Sequence, residues 1–195
     1  PIDTAQVDAS GSFAFDADVL DGLPLDVYQM SVADRQFYII ADSLSSMRVA
    51  GSVESGKGLA SNIYITGDDW SADFSSFIRE TAVRNDSLMA WKKKASNAEL
   101  SIDERNAART EFDAAKEAQS EMARRTVREH KNDPVGLLAI EYLDLSADRA
   151  LAKQVLDSTR ALMGHTMAHR NLSSRLAKVA KPRNQKRRND LIQPG

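Results

Sequence analysis

There is no cysteine anywhere in this 195-residue chain. That absence excludes disulfides, thiolate zinc sites and any Cys-x-x-Cys redox pair within these residues, since each needs a thiolate as ligand or nucleophile. Long hydrophobic runs are missing as well. No stretch approaches the roughly 18 consecutive apolar residues of a membrane-crossing helix. Aromatic residues make up only 6% of the chain and there are 3 histidines, which leaves few side chains for base stacking or imidazole catalysis. The chain opens on Pro1-Ile2-Asp3-Thr4 with neither a Met nor the basic and apolar regions of an export signal, so any targeting peptide is expected to have been removed.

What remains is ordinary globular material, 42% hydrophobic and 28% charged. The length allows one larger domain or two small ones, and two subdomains are expected. The formal charge of -2 conceals an asymmetry: residues 1–60 hold nine acids against three bases, and residues 173–195 hold seven bases against one acid.

The first third has strand grammar. Ser12-Phe13-Ala14-Phe15, Val27 to Val32 and Phe37 to Ile40 are β-rich runs bounded by Asp, Gly or Pro. Asp8-Ala9-Ser10-Gly11, Ala33-Asp34-Arg35 and Asp42-Ser43-Leu44-Ser45 read as turns between them, with Met47 to Ala50 as the next strand. After a loop at Ser55-Gly56-Lys57-Gly58, Asn62 to Thr66 is expected to close the sheet before Gly67.

From Asp68 the period becomes helical: Trp70, Phe74, Phe77, Thr81, Arg84, Leu88 and Trp91 step by four and three, with Asp69 or Ser71 as cap. Ser101-Ile102-Asp103-Glu104 is a capping box that opens a second helix, with Glu121 and Arg125 as an i,i+4 pair along it. Asn132-Asp133-Pro134 ends that helix and begins a third, with Val135, Leu138, Ala139 and Tyr142 facing inward. Ser146 is the expected cap of a fourth helix carrying Leu151, Val155, Thr159 and Leu162 to Gly164. His165 to Val179, with Met167, Leu172, Leu176 and Val179 as its apolar set, is its continuation or a fifth. The fold class is therefore α+β: an N-terminal antiparallel β-meander or sandwich, then a bundle of four to five helices. The expected divisions are a β subdomain over 1–67, a helical subdomain over 68–180 and a basic linker over 181–195.

Several patterns approach chemistry, and each has a plainer explanation. Gly51 to Gly58 nearly satisfies the phosphate-binding loop Gly-x-x-x-x-Gly-Lys, but Gly58 occupies the place of the magnesium-binding hydroxyl and a strand follows where a helix is required. His165 and His169 stand one helical turn apart, a spacing that lets two imidazoles share a metal, yet no third ligand or general base accompanies them. His130 has no nucleophile elbow beside it. Asp16 with Asp18, and Asp68 with Asp69, are paired acids of the kind that divide acid and base roles, but they fall at strand ends or a helix cap. The Trp70 to Trp91 stripe reads as core before partner groove. The basic run from Lys178 to Arg188 lacks interleaved aromatics and reads as a solvated linker, not a nucleic-acid surface. No catalytic, cofactor-binding or metal-binding residue is assigned, and no cofactor is expected.

The order of segments resembles the N-terminal region of Bacteroidetes-type thiol:disulfide oxidoreductases of the thioredoxin-like, AhpC/TSA-related family, which begin with a β-rich domain of unknown function. Ile2-Asp3-Thr4 through Gly11-Ser12-Phe13-Ala14-Phe15 is similar to that domain's Ile-Asp-Ser step and Gly-x-Phe-x-Phe strand. Tyr28 with its strand and Phe37 to Ile40 resemble the next hairpin. Tyr64-Ile65-Thr66-Gly67-Asp68 looks like the step into the helical segment, where the family more often has Gly-Ser. His130 to Ala139 is similar to its Asn-Pro-Asn-Ser-x-x-x-Leu helix start, and Ile192-Gln193-Pro194-Gly195 to the approach of the thioredoxin-like domain.

The resemblance implies a strand before Pro1 and an exported parent, periplasmic or in the cell envelope, held by a lipid anchor outside these residues. The redox Cys pair would then lie wholly downstream, and no catalytic residue of the family maps onto this chain. The expected function is a non-catalytic accessory module that positions the catalytic domain in cis, contacts a protein partner or forms a homodimer, with no nucleic-acid role. The alternative is a stand-alone periplasmic binding or scaffold lipoprotein; a hydrolase using His165 or His169 ranks third.

Overall fold

In the computed structural model, which describes residues 4–14, 22, 24–32, 35–51, 58–59 and 63–179, the first regular element is β1, Asp26–Val32. It pairs antiparallel with β2, Arg35–Ala41, from Asp26↔Ala41 to Val32↔Arg35. The register puts Tyr28 opposite Ile39 and Met30 opposite Phe37, so the period-2 alternation gathers Tyr28, Met30, Val32, Phe37, Ile39 and Ala41 on one face and leaves Val27 and the buried Ile40 on the other. Asp42 then turns the chain: its Oδ1 accepts from Leu44 N at 2.9 Å, and Ser45 N donates to its carbonyl at 3.2 Å.

The next strand, β3 (Arg48–Gly51), does not extend that hairpin. It pairs antiparallel with β5 (Ile63–Thr66), whereas the two-residue β4 (Gly58–Leu59) runs parallel to the start of β2. Two small sheets result, ordered β1-β2-β4 and β3-β5. They share one core: Phe37, Ile39, Ala41, Ile63 and Ile65 are buried together, with Tyr28, Met30, Val32, Met47 and Val49 packed around them. Burying each large member is worth about 1.5–3 kcal/mol, enough to hold strands this short. Gly67 ends β5 at φ +94°, and a Cβ there would meet the Ser46 carbonyl oxygen at 2.8 Å. Only glycine fits both the left-handed backbone and that approach.

Helix α1 spans Asp69–Ala95. Asp68 caps it, its Oδ1 accepting from Ser71 N at 2.8 Å; Asp69 and Ser71, the expected caps, lie inside the first turn because the aspartate before them reaches the orphan amide. Phe74 and Phe77 are buried, their ring centroids 6.3 Å apart. The chain divides into two compact units, Pro1–Ala82 and Val83–Gly195. The change from strand to helix falls at 67/68, and the first unit takes in the first half of α1, with the buried Phe74 and Phe77.

In the second unit the rest of α1 and α2 (Ile102–Glu129) form an antiparallel arm, the chain reversing between them at 96–101. Ser101 and Glu104 make the reciprocal capping box, and Gln119 Nε2 donates to Asn85 Oδ1 at 2.8 Å across the arm. Leu88, Trp91 and Ala95 of α1 and Ala108, Phe112 and Ala115 of α2 are all buried or half-buried. Farther along, Met122, Ala123 and Val127 bring the last turns of α2 into the helical core.

Helix α3, Pro134–Ala139, is buried on every side, so the expected inward face of Val135, Leu138 and Ala139 is the whole helix. A helix this apolar all round belongs in a core. Gly136 permits it: a Cβ there would stand 2.0 Å from the His130 carbonyl oxygen. A 3-10 turn at Ile140–Tyr142 follows, then α4 (Arg149–Ser158), the short α5 (Arg160–Met163) and α6 (Met167–Lys178). Arg149 closes the far end of α6 by donating to the Leu176 and Val179 carbonyls at 2.7 and 2.8 Å, groups that the helix itself leaves unpaired.

The α+β class is as expected, with the strands first and the helices after. Other expectations need correction. Ser12–Ala14 carries no strand pairing, although the Asp8 turn is there, with Gly11 at φ +82°. Ser146 is not the cap of α4; its amide donates to Asp144 Oδ1, and Asp148 holds the cap position. The helix from Arg149 breaks at Thr159, whose buried hydroxyl bonds the Val155 carbonyl at 2.7 Å, and Leu162 beyond it is exposed. Met167 is likewise exposed, whereas Leu172 and Leu176 are buried. The Ala33-Asp34 hairpin tip, the Ser55 to Lys57 loop, Phe15, and the linker over 181–195 lie outside the described residues.

Candidate functional site

The acids come first, because carboxylates are among the side chains that serve as general bases. Asp8 Oδ1 accepts from Ser10 N and Ser12 N, at 2.8 and 2.9 Å, and from the Ser10 hydroxyl. These bonds, the Ser10 hydroxyl's foremost, hold its carboxyl below the ordinary aspartate range. Asp133 Oδ1 accepts from Val135 N and Gly136 N, and Asp144 Oδ1 from Ser146 N and Ala147 N. Asp42 and Asp68 behave in the same way, so that each of these aspartates accepts an amide within the next few residues and fixes a turn or helix start. Asp69 is an exposed first-turn acid beside the Asp68 cap. Asp16 and Asp18 lie outside the described residues.

The histidines are dispersed. His169 is buried, with Nε2 2.8 Å from the Leu156 carbonyl oxygen. A carbonyl only accepts, so Nε2 carries the proton and is closed to a metal. His165 precedes the Thr166 cap of α6 and is exposed. The two imidazoles are therefore not paired along one helical turn, because the helix begins between them. His130 follows the end of α2, its Nδ1 3.0 Å from Asp133 Oδ2. The same Asp133 side chain caps α3 through its other oxygen. Among the described residues no group of three or more His, Cys, Asp or Glu side chains could hold a metal.

One half-buried charge cluster stands out in the helical unit. Arg124 donates from Nε to Asp148 Oδ1 and from Nη1 to Glu117 and Glu121, at 2.8, 2.9 and 2.8 Å. It ties two acids of α2 to the start of α4, and Glu121 also reaches Arg128 at 3.8 Å. Tyr28 is also partly buried, and its hydroxyl donates to the Pro24 carbonyl at 3.2 Å. Burial first, then the carboxylates of Asp26 and Asp42, push its phenol above the ordinary range, the reverse of what a neutral-pH base needs.

The arrangement that sequence reasoning missed is a polar comb on α1. The Ser71 hydroxyl, fully buried, accepts from Ile40 N at 2.9 Å and donates to Ile40 O at 2.8 Å. One turn on, the Ser75 hydroxyl donates to Ile63 O at 2.9 Å, and Arg79 donates to the same oxygen at 2.8 Å while lying 4.4 Å over the Tyr64 ring. The signal was present as Ser71, Ser75 and Arg79 at i, i+4 and i+8, alongside the aromatic stripe. Counting apolar residues alone passes over it.

Of the near-motifs, Gly51 ends β3 and Gly58 begins β4, so the strand context contradicts a phosphate loop; residues 52–57 between them lie outside the described residues. Lys178 ends α6, and the rest of the basic run is likewise outside. No described helix is long and apolar enough to cross a membrane. No protein-family profile matches the chain, and neither the curated proteins nor the solved structures contain a match to it.

Proposed function

We propose that this chain is a non-catalytic accessory module of an exported thioredoxin-like thiol:disulfide oxidoreductase, acting by placing the catalytic domain or by contacting a partner. The segment order that resembles that family supports the reading, and so does the lack of any cysteine. The observation that carries it is the use to which the chain puts its reactive side chains. The His169 imidazole is bound to a backbone carbonyl, and Asp68 and Asp133 hold helix amides. Groups so engaged fix the backbone and are not poised for proton transfer.

On this reading thiol chemistry comes from a Cys-x-x-Cys pair beyond Gly195, on a helix N-terminus that lowers its thiolate pKa. Two measurements test it. The reading frame past Gly195 is expected to continue into a Cys-x-x-Cys domain, and a stop codon there overturns the proposal in favour of a stand-alone lipoprotein. The purified cysteine-free chain is expected to reduce no disulfide substrate; measurable turnover overturns the non-catalytic assignment.

A further inference from the structure

We draw no further inference here: the strongest candidate, the exposed apolar side chains Val83, Met89 and Ile102 on the α1–α2 arm, carries nothing because nothing in the structure shows what covers them.

Discussion

Replacing Ser71 with alanine tests whether α1 stands in for a missing neighbour strand. Ile40 is in β2, opposite Val27 of β1. Its N–H and C=O both bond the Ser71 hydroxyl, so they point away from β1 and toward the helix. Alanine leaves one buried donor and one buried acceptor without a partner, at about 1–3 kcal/mol each. Against this stands alanine's better helix propensity, about 0.5 kcal/mol. The expected net loss for Ser71→Ala is about 1.5–5.5 kcal/mol, at least about tenfold in the folding equilibrium. Ser76→Ala, on the exposed side of the same turn, is the control and is expected within about 0.5 kcal/mol of the parent. Urea unfolding followed by circular dichroism gives the midpoints, and hydrogen exchange at the Ile40 amide reports the site itself. Equal stability of the two variants, with Ile40 still protected, would refute the reasoning.

Three further outcomes are expected. Gly136→Ala is expected to destabilise by about 2 kcal/mol or more in thermal unfolding, because its Cβ would overlap the His130 carbonyl; helix propensity alone forecasts a gain of about 1 kcal/mol, so the sign decides between them. Glu104 is held below the ordinary glutamate range, chiefly by the Ser101 hydroxyl. A carboxylate depressed in the folded state contributes stability above its unfolded pKa and loses it as pH falls through the folded value; carbon-detected titration is expected to show Glu104 below its normal value in the parent and returned toward it in Ser101→Ala. His169→Ala is expected to cost about 1–3 kcal/mol, since the buried Leu156 carbonyl loses its donor, and added zinc is expected to leave the parent's melting temperature unchanged. A zinc-dependent rise abolished by His169→Ala would revive the metal reading.

Legibility followed the range of the interactions. The Ser101–Glu104 capping box, the Asp133–Pro134 start of α3 and the Asp8 and Asp42 turns are settled within a few residues, and all are where the pattern put them. Strand partners are not local. Nothing in Met47 to Ala50 says that β3 pairs with β5 instead of β2, because alternation fixes which side chains point inward and not which edge is taken. The histidines show the same limit at short range: i,i+4 spacing implies a shared face only when both residues are inside the helix, and Thr166 starts α6 between them. In the Arg124 cluster the i,i+3 pair with Glu121 is local, but the bond to Asp148, 24 residues away, has no local signature.

The polar comb also explains why so small a β unit needs its helix. A sheet edge presents unpaired N–H and C=O groups, and each one buried without a partner costs as much as a lost hydrogen bond. In β2 the edge is taken at its start by β4 and at Ile40 by Ser71; in β5 the Ile63 carbonyl is taken by Ser75 and Arg79. The spacing of four and then four residues keeps these donors on one side of α1, so a single rigid element serves both small sheets. A longer strand would do the same work only in one register, whereas a hydroxyl at the end of a short side chain can accept and donate at once. It follows that the first turns of α1 and the strands unfold together, and that substitutions at Ser71 and Ser75 couple to those at Phe37 and Ile65 more strongly than to equally buried residues of α4 or α6.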